Sequence, residues 1–99
     1  MIGKTEIGGA TKLTPTGNIG MEGTEALQKS LEDALAAGGG IEVDLSSCRS
    51  LSSSAIGAMI ACHNALRTRD GGRLKVSGTS DDLRKLLRLM GLDRHFELA

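Results

Sequence analysis

The chain has 99 residues and one aromatic side chain, Phe96, with no tryptophan or tyrosine. It has one proline, two cysteines and no net charge, twelve lysines and arginines balancing twelve aspartates and glutamates. The near-absence of proline and the lack of a glycine period exclude a collagen-like fibre. Low net charge with 39% apolar residues argues against global disorder. No apolar run approaches the roughly 18–20 residues of a membrane span, and no basic-then-apolar leader opens the chain. Two cysteines, Cys48 and Cys62, make no disulfide framework and read as small buried residues of a reducing, cytoplasmic setting. Balanced charge and missing stacking aromatics exclude a strong nucleic-acid binder.

What remains is one small globular domain. A chain this size buries about two-thirds of its unfolded surface and keeps a margin of roughly 5–10 kcal/mol. Leucine, isoleucine, valine, methionine and alanine must fill its core. The neutral total hides an asymmetry. Residues 1–48 carry three basic and seven acidic side chains, and residues 49–99 carry nine and five. Two complementary halves of one fold account for this; a polar, switchable protein surface is the sharper reading.

The hydrophobic pattern alternates between strand and helix periods. Met1 to Gly9 reads as a weak strand. Lys12–Thr14 and Thr16–Met21 suggest a hairpin or a pair of short strands with a turn at Pro15-Thr16-Gly17. From Glu22 the period changes. Leu27, Leu31, Ala34 and Leu35 share one helical face, with Glu25, Lys29, Glu32 and Asp33 on the wet side. Gly23 or Thr24 is placed to cap this helix, and Gly38-Gly39-Gly40 to stop it. Ile41 to Leu45 alternates as a strand. Residues 46–54 hold six of the nine serines and read as a polar connection.

A helix then runs from about Ala55 to Arg69, apolar nearly all round at its start, so buried on more than one side. Ser53, Gly57 and Ala61 form a small-residue stripe that suits close approach of another element. Arg73 to Ser77 is a strand. Thr79 and Asp82 are spaced like a capping box for a last helix, with Leu83, Leu86, Leu87 and Met90 inward and Arg84, Lys85 and Arg88 outward. Residues 95–98 form a short strand or a tail. Strands alternating with helices predict an α/β domain with a mostly parallel sheet and right-handed crossovers.

Most catalytic constellations are missing. His63, His95, Cys48 and Cys62 have no metal-ligand spacing; His63 reads as a partly exposed helix residue and His95 as a surface residue. No G-x-S-x-G elbow frames a serine. Gly38–Gly40 and Gly71-Gly72 follow helices and precede strands, the reverse of a phosphate loop. The remaining candidate is Ser52-Ser53-Ser54-Ala55-Ile56-Gly57 at a helix start. In one reading a single serine caps the helix and the others are solvated. In the other, a phosphate on one of them meets unpaired N–H groups and the positive end of the helix dipole.

At this window the chain resembles the STAS family, the anti-sigma factor antagonist domains. Val43-Asp44-Leu45-Ser46 matches the family's strand ending in D-L-S. Eight residues past Asp44, Ser52 to Gly57 occupies the place of D-S-S/T-G-L-G. Gly71-Gly72-Arg73-Leu74-Lys75-Val76 matches a G-G-R-L-x-V strand, and Met90 to Phe96 matches a closing x-x-G-L-x-x-x-F. Gly17-Asn18-Ile19 matches an earlier G-x-L/I. Three positions depart: Ser52 replaces an acid, Ala55 a glycine, and Gly20 an aspartate.

The resemblance implies one STAS-like domain over residues 1–99, a small mixed and mostly parallel sheet with helices packed against it. It implies a binding module with no catalysis, cofactor or metal of its own. An anti-sigma factor that is also a serine kinase binds the unmodified domain, phosphorylation at Ser53 releases it, and a PP2C-type, metal-dependent phosphatase restores it. Ser52 and Ser54 are the alternative acceptors. The implied partner surface comprises Gly20, Ser52, Ser53, Ser54, Ala55, Ile56 and Gly57. A monomer in the cytoplasm, without membrane insertion, is expected. The three departures also fit a non-phosphorylated accessory or scaffold subunit that binds a transporter ATPase.

Overall fold

A computed structural model describes residues 2–98, so Met1, the first residue of the expected opening strand, and Ala99 lie outside the described residues. Strands β1 (Ile2–Ile7) and β2 (Ala10–Pro15) form an antiparallel hairpin. Its two-residue loop is Gly8-Gly9, with φ of 58° and 82°. Glycine reaches these values without the Cβ penalty, and two positive φ angles match the strand twist. No hairpin is therefore closed at Pro15-Thr16-Gly17, where the other expected arrangement holds and two short strands follow one another. Pro15 ends β2 inside the core, and the chain passes to β3 (Gly17–Ile19).

Helix α1 (Met21–Ala37) follows, then β4 (Ile41–Asp44), β5 (Cys48–Leu51), α2 (Ser53–Asp70), β6 (Lys75–Ser77), α3 (Asp81–Leu89), a 3₁₀ turn (Leu92–Arg94) and β7 (Glu97–Leu98). The main sheet has the order β1-β2-β4-β6-β7, parallel throughout except for the hairpin. Leu13 pairs with Val43, Val43 with Val76 and Val76 with Leu98, so one apolar row crosses the sheet. Leu13, Val43 and Val76 are fully buried. The fold is the expected α/β domain with a mixed, mostly parallel sheet.

Strand β5 lies within the stretch that reads as a polar connection. It pairs in parallel with β3 to make a separate two-stranded sheet. Cys48 is its buried residue, while Arg49 and Ser50 face solvent. A short edge pair satisfies its backbone without needing an apolar sequence, which explains why the pattern missed it.

The core joins both sheets and all three helices. Leu27, Leu31 and Ala34 of α1 and Ile56, Met59, Cys62 and Leu66 of α2 enter it with Leu83 and Leu87 of α3. Two positions expected on the inner face of α3 are outside: Leu86 is 37% exposed and Met90 46%. Ser80, not Thr79, caps α3 by accepting the Leu83 N–H at 3.2 Å. Phe96, the sole aromatic, is buried with its ring edge-on to His63 at 5.6 Å. His63 is thus a core residue and not a partly exposed one. Its Nδ1 accepts the Leu74 N–H at 3.2 Å.

Candidate functional site

The serine cluster sits where β5 gives way to α2. The Ser52 N–H donates to the Ile19 carbonyl at 3.0 Å, which ties the end of β5 to the end of β3. Ser52 has an extended backbone, and its Oγ accepts the Ala55 N–H at 3.0 Å. It is therefore the N-cap of α2, satisfying one donor of the open first turn. Gly20 precedes α1 with no side chain to do the same. Thr24, one turn into α1, donates its hydroxyl proton to the Gly20 carbonyl at 2.7 Å. The Ser52 hydroxyl lies 2.8 Å from Thr24 Oγ1. A threonine hydroxyl has a single proton, so Ser52 is the donor in this pair. The starts of α1 and α2 are locked side by side, which brings Gly20 and Thr24 to Ser52.

Thr24 is therefore not the helix cap expected from sequence but a buried link between helices. Its position three residues before Leu27 and seven before Leu31 places it on the inward stripe, a signal available in the pattern. The structure also separates the three serines. Ser52 is half-buried and its hydroxyl is engaged in both directions. Ser53 and Ser54 are exposed, and their side chains and N–H groups have no hydrogen-bond partner among the described residues. No acidic side chain occupies the first turn of α2, so the positive end of its dipole is uncompensated there.

Of the remaining expected surface residues, Gly20 and Gly57 are exposed, while Ala55 and Ile56 are buried at 0% and 2%. The last two side chains belong to the core and are not offered to solvent. The stripe of Ser53, Gly57 and Ala61 faces outward, and a Cβ on Gly57 would meet nothing within 4 Å. Among the described residues no element packs on Gly57, contrary to expectation, while Ala61 borders a pocket shared with Gln28, Leu31 and Leu35 of α1.

Two features escaped the sequence reading. Met21, beside Gly20, is 84% exposed. It borders a shallow groove of about 530 Å³ with Asn18, Gly20, Glu22 and Ala26. Asn18 Oδ1 accepts the Ser50 hydroxyl at 2.9 Å, joining the groove to β5. An exposed methionine at a helix start leaves no periodic signature.

The other chemical candidates have structural roles. Asp44 accepts the Ser46 N–H at 2.9 Å and pairs with Lys12 at 3.4 Å. The Ser46 hydrogen bonds and the Lys12 charge hold its carboxyl below the ordinary carboxylate value. Cys48 and Cys62 are free and buried. Burial pushes the Cys62 thiol up to about 11, with Arg69 pulling weakly the other way, so it is protonated and a poor nucleophile. Among the described residues no three histidine, cysteine or acidic side chains gather as a metal site, and no helix is long and apolar enough to cross a membrane.

Comparison with known proteins places this geometry. The family model described as Mlab, STAS domain, matches residues 2–98. No protein of curated function matches the sequence. Solved structures do match in fold. An anti-sigma factor antagonist from Mycobacterium paratuberculosis superposes with a TM-score of 0.87 at 23% identity, covering 99% of this chain and 83% of that one. The Thermotoga maritima protein TM1081 superposes at 0.86 and 20% identity, covering 98% and 84%. The Bacillus cell fate determinant SpoIIAA in its phosphorylated form superposes at 0.79 and 17% identity, covering 100% and 91%. Proteins of this kind are non-enzymatic binding domains. With a family match that runs through nearly every residue and a fold shared across those structures, this chain belongs to the STAS domain family.

Proposed function

We propose that this chain is an anti-sigma factor antagonist, acting as a single STAS module over residues 1–99 in a partner-switching pathway. It binds an anti-sigma factor with serine kinase activity when unmodified and is released when Ser53 is phosphorylated. A PP2C-type phosphatase reverses the mark. The observation that carries this reading is the division of labour at the start of α2: Ser52 is consumed as cap and inter-helix link, which leaves Ser53 free at the first helical position. A phosphate there finds unpaired N–H groups and an uncompensated helix dipole, so it adds about two negative charges without disturbing the core. One of the structures sharing this fold is of a protein in phosphorylated form, which supports the same chemistry here.

The partner surface in this reading comprises Gly20, Met21, Ser53, Ser54 and Gly57, presented by the locked starts of α1 and α2. Ala55 and Ile56 support it from inside. Incubating the chain with its cognate serine kinase and ATP, then mapping phosphate by mass spectrometry, tests the switch. Phosphate on Ser53 is the expected outcome; none on Ser53 or Ser54 sinks the mechanism.

A second reading is an unmodified accessory or scaffold subunit that binds a transporter ATPase. It is favoured by Ser52 and Ala55 in place of the family's acid and glycine, and by the Mlab description of the matching family model. Affinity capture from cells separates the two. An ATPase subunit recovered without a serine kinase selects the second reading.

A further inference from the structure

The end of α2 remote from the serines carries a cluster that the partner-switching reading does not use. A pocket of about 310 Å³ is lined by His63, Arg67, Gly71, Arg73, Arg94 and His95. Three arginines and two histidines line it, and no carboxylate does. Arg67 lies fourteen residues past Ser53 on the same helix. At the rise of an α-helix that spacing is about 20 Å along the axis. The two regions are therefore spatially distinct.

We propose that this pocket binds a phosphate group, carried as a phosphate monoester or diphosphate. Arg73 is already oriented for it. Its Nε donates to the His95 carbonyl at 2.8 Å, and its Nη2 to the Phe96 carbonyl at 2.8 Å and the Arg94 carbonyl at 3.4 Å. These bonds fix the guanidinium plane and leave Nη1 unused. The guanidiniums of Arg67 and Arg94 have no ion pair or hydrogen bond among the described residues. His63 is 2% exposed and lines the same pocket. Because its Nδ1 accepts from Leu74, its ring proton is on Nε2, a donor with no partner among the described residues.

The electrostatics favour an anion of high charge. Burial first, then the charges of His95, Arg67 and Arg73, push His63 away from its protonated form. No carboxylate lines the pocket to offset these like charges. The C-terminus of α2 contributes about half a negative charge nearby, which three guanidinium charges outweigh. Arginine forks match the oxygens of phosphate bidentately. A dianion with three free oxygens uses more of the converging donors than a carboxylate with two.

The test is a titration of the full chain with sodium pyrophosphate, followed by amide and imidazole NMR at constant ionic strength. Saturable shifts at His63, Arg67, Gly71 and His95, half-complete below about 1 mM, are expected. The double variant Arg67→Gln with Arg94→Gln should weaken binding about tenfold or more. Both side chains are exposed, and an unchanged amide spectrum elsewhere verifies the fold; should the pair misfold, each single variant is titrated instead. A second arm uses vesicles of phosphatidylcholine with and without phosphatidic acid. Retention on phosphatidic acid that pyrophosphate competes away assigns the phosphate to a lipid headgroup. No retention with saturable pyrophosphate binding assigns it to a soluble ester. Shifts that never saturate, or that persist undiminished in the variants, overturn the site, as does vesicle retention that pyrophosphate leaves unchanged. Since Ser53 plays no part, these outcomes are independent of the phosphorylation result.

Discussion

The Ser52 hydroxyl donates to Thr24 Oγ1 at 2.8 Å while accepting the Ala55 N–H at 3.0 Å. One side chain thus caps α2 and holds it against the start of α1. Ser52→Ala removes a cap and an inter-helix bond and should cost about 1–2 kcal/mol of unfolding free energy. Thr24→Val should cost about 1 kcal/mol by stranding the Ser52 proton. The two residues share a bond, so the double variant should fall short of additivity by about 0.5–1 kcal/mol. Urea unfolding midpoints of the four proteins measure this. Strict additivity would show that the bond contributes nothing.

Ser53 differs from its neighbour in every respect that matters for stability. It is exposed and unbonded among the described residues. Ser53→Ala should therefore shift stability by at most about 0.5 kcal/mol. The same variant should lose all kinase-dependent phosphate, whereas Ser52→Ala and Ser54→Ala should retain it. Ser53→Asp should keep the fold yet weaken partner binding, because it adds charge at the presented helix start. Calorimetric titration against the isolated kinase partner reads this out. Binding as tight as that of the parent chain would count against Ser53 as an interface residue, with authentic phosphoserine as the deciding control.

The sequence pattern located α1, α2, β4 and β6 because each has local periodicity that survives without neighbours, whereas residues 95–98 left a strand or a tail open. Leu27, Leu31 and Ala34 are on one helical face whatever they pack against, and they are buried as expected. Strands β3 and β5 have no such autonomy. Asn18 and Ser50 meet across 32 positions of chain, and nothing local to either announces the pairing. The same limit applies at the site. The helix start and its serines were legible as a motif, but three adjacent identical residues are separated only by their partners. Thr24 and His63 are a different case: helical spacing places both inward, from Leu27 and Leu31 for Thr24 and from Ile56 and Met59 for His63. Their polarity suggested a helix cap for Thr24 and a partly exposed place for His63, and the hydrogen bonds that permit burial come from residues 28 and 11 positions away.

His63 makes stability depend on pH in a defined window. Its neutral Nδ1 accepts the Leu74 N–H, and its pKa in the fold lies below the ordinary 6.5. The unfolded chain therefore binds a proton that the folded chain resists. Its contribution is complete above pH 6.5 and is lost as pH falls from there toward the folded value. Asp44 and Asp70, lowered from 3.8, begin their own losses only near or below that pH. Chemical unfolding at intervals between pH 5 and 7.5 should show falling stability with acid, and His63→Leu should flatten that slope. An unchanged slope in the variant would assign the dependence elsewhere.

Gly78, just past β6, is a position where a single methyl group should harm the end of the sheet. Its φ is +66°, in the left-handed region, and a Cβ there would lie 2.6 Å from Asp44 Oδ1 and 2.7 Å from the Ser46 nitrogen. Those two atoms already bond each other at 2.9 Å in the turn that follows β4, so neither is free to retreat. Gly78→Ala therefore combines backbone strain with overlap against a fixed turn, and the cost should be about 2–4 kcal/mol. Replacing Asp44 with alanine in the same chain removes one of the two obstructing groups but leaves the strain. The double variant should recover part of the loss and no more. Thermal unfolding of the single and double variants checks both statements, and a Gly78→Ala protein as stable as its parent would mean that this turn yields more readily than its hydrogen bonds imply.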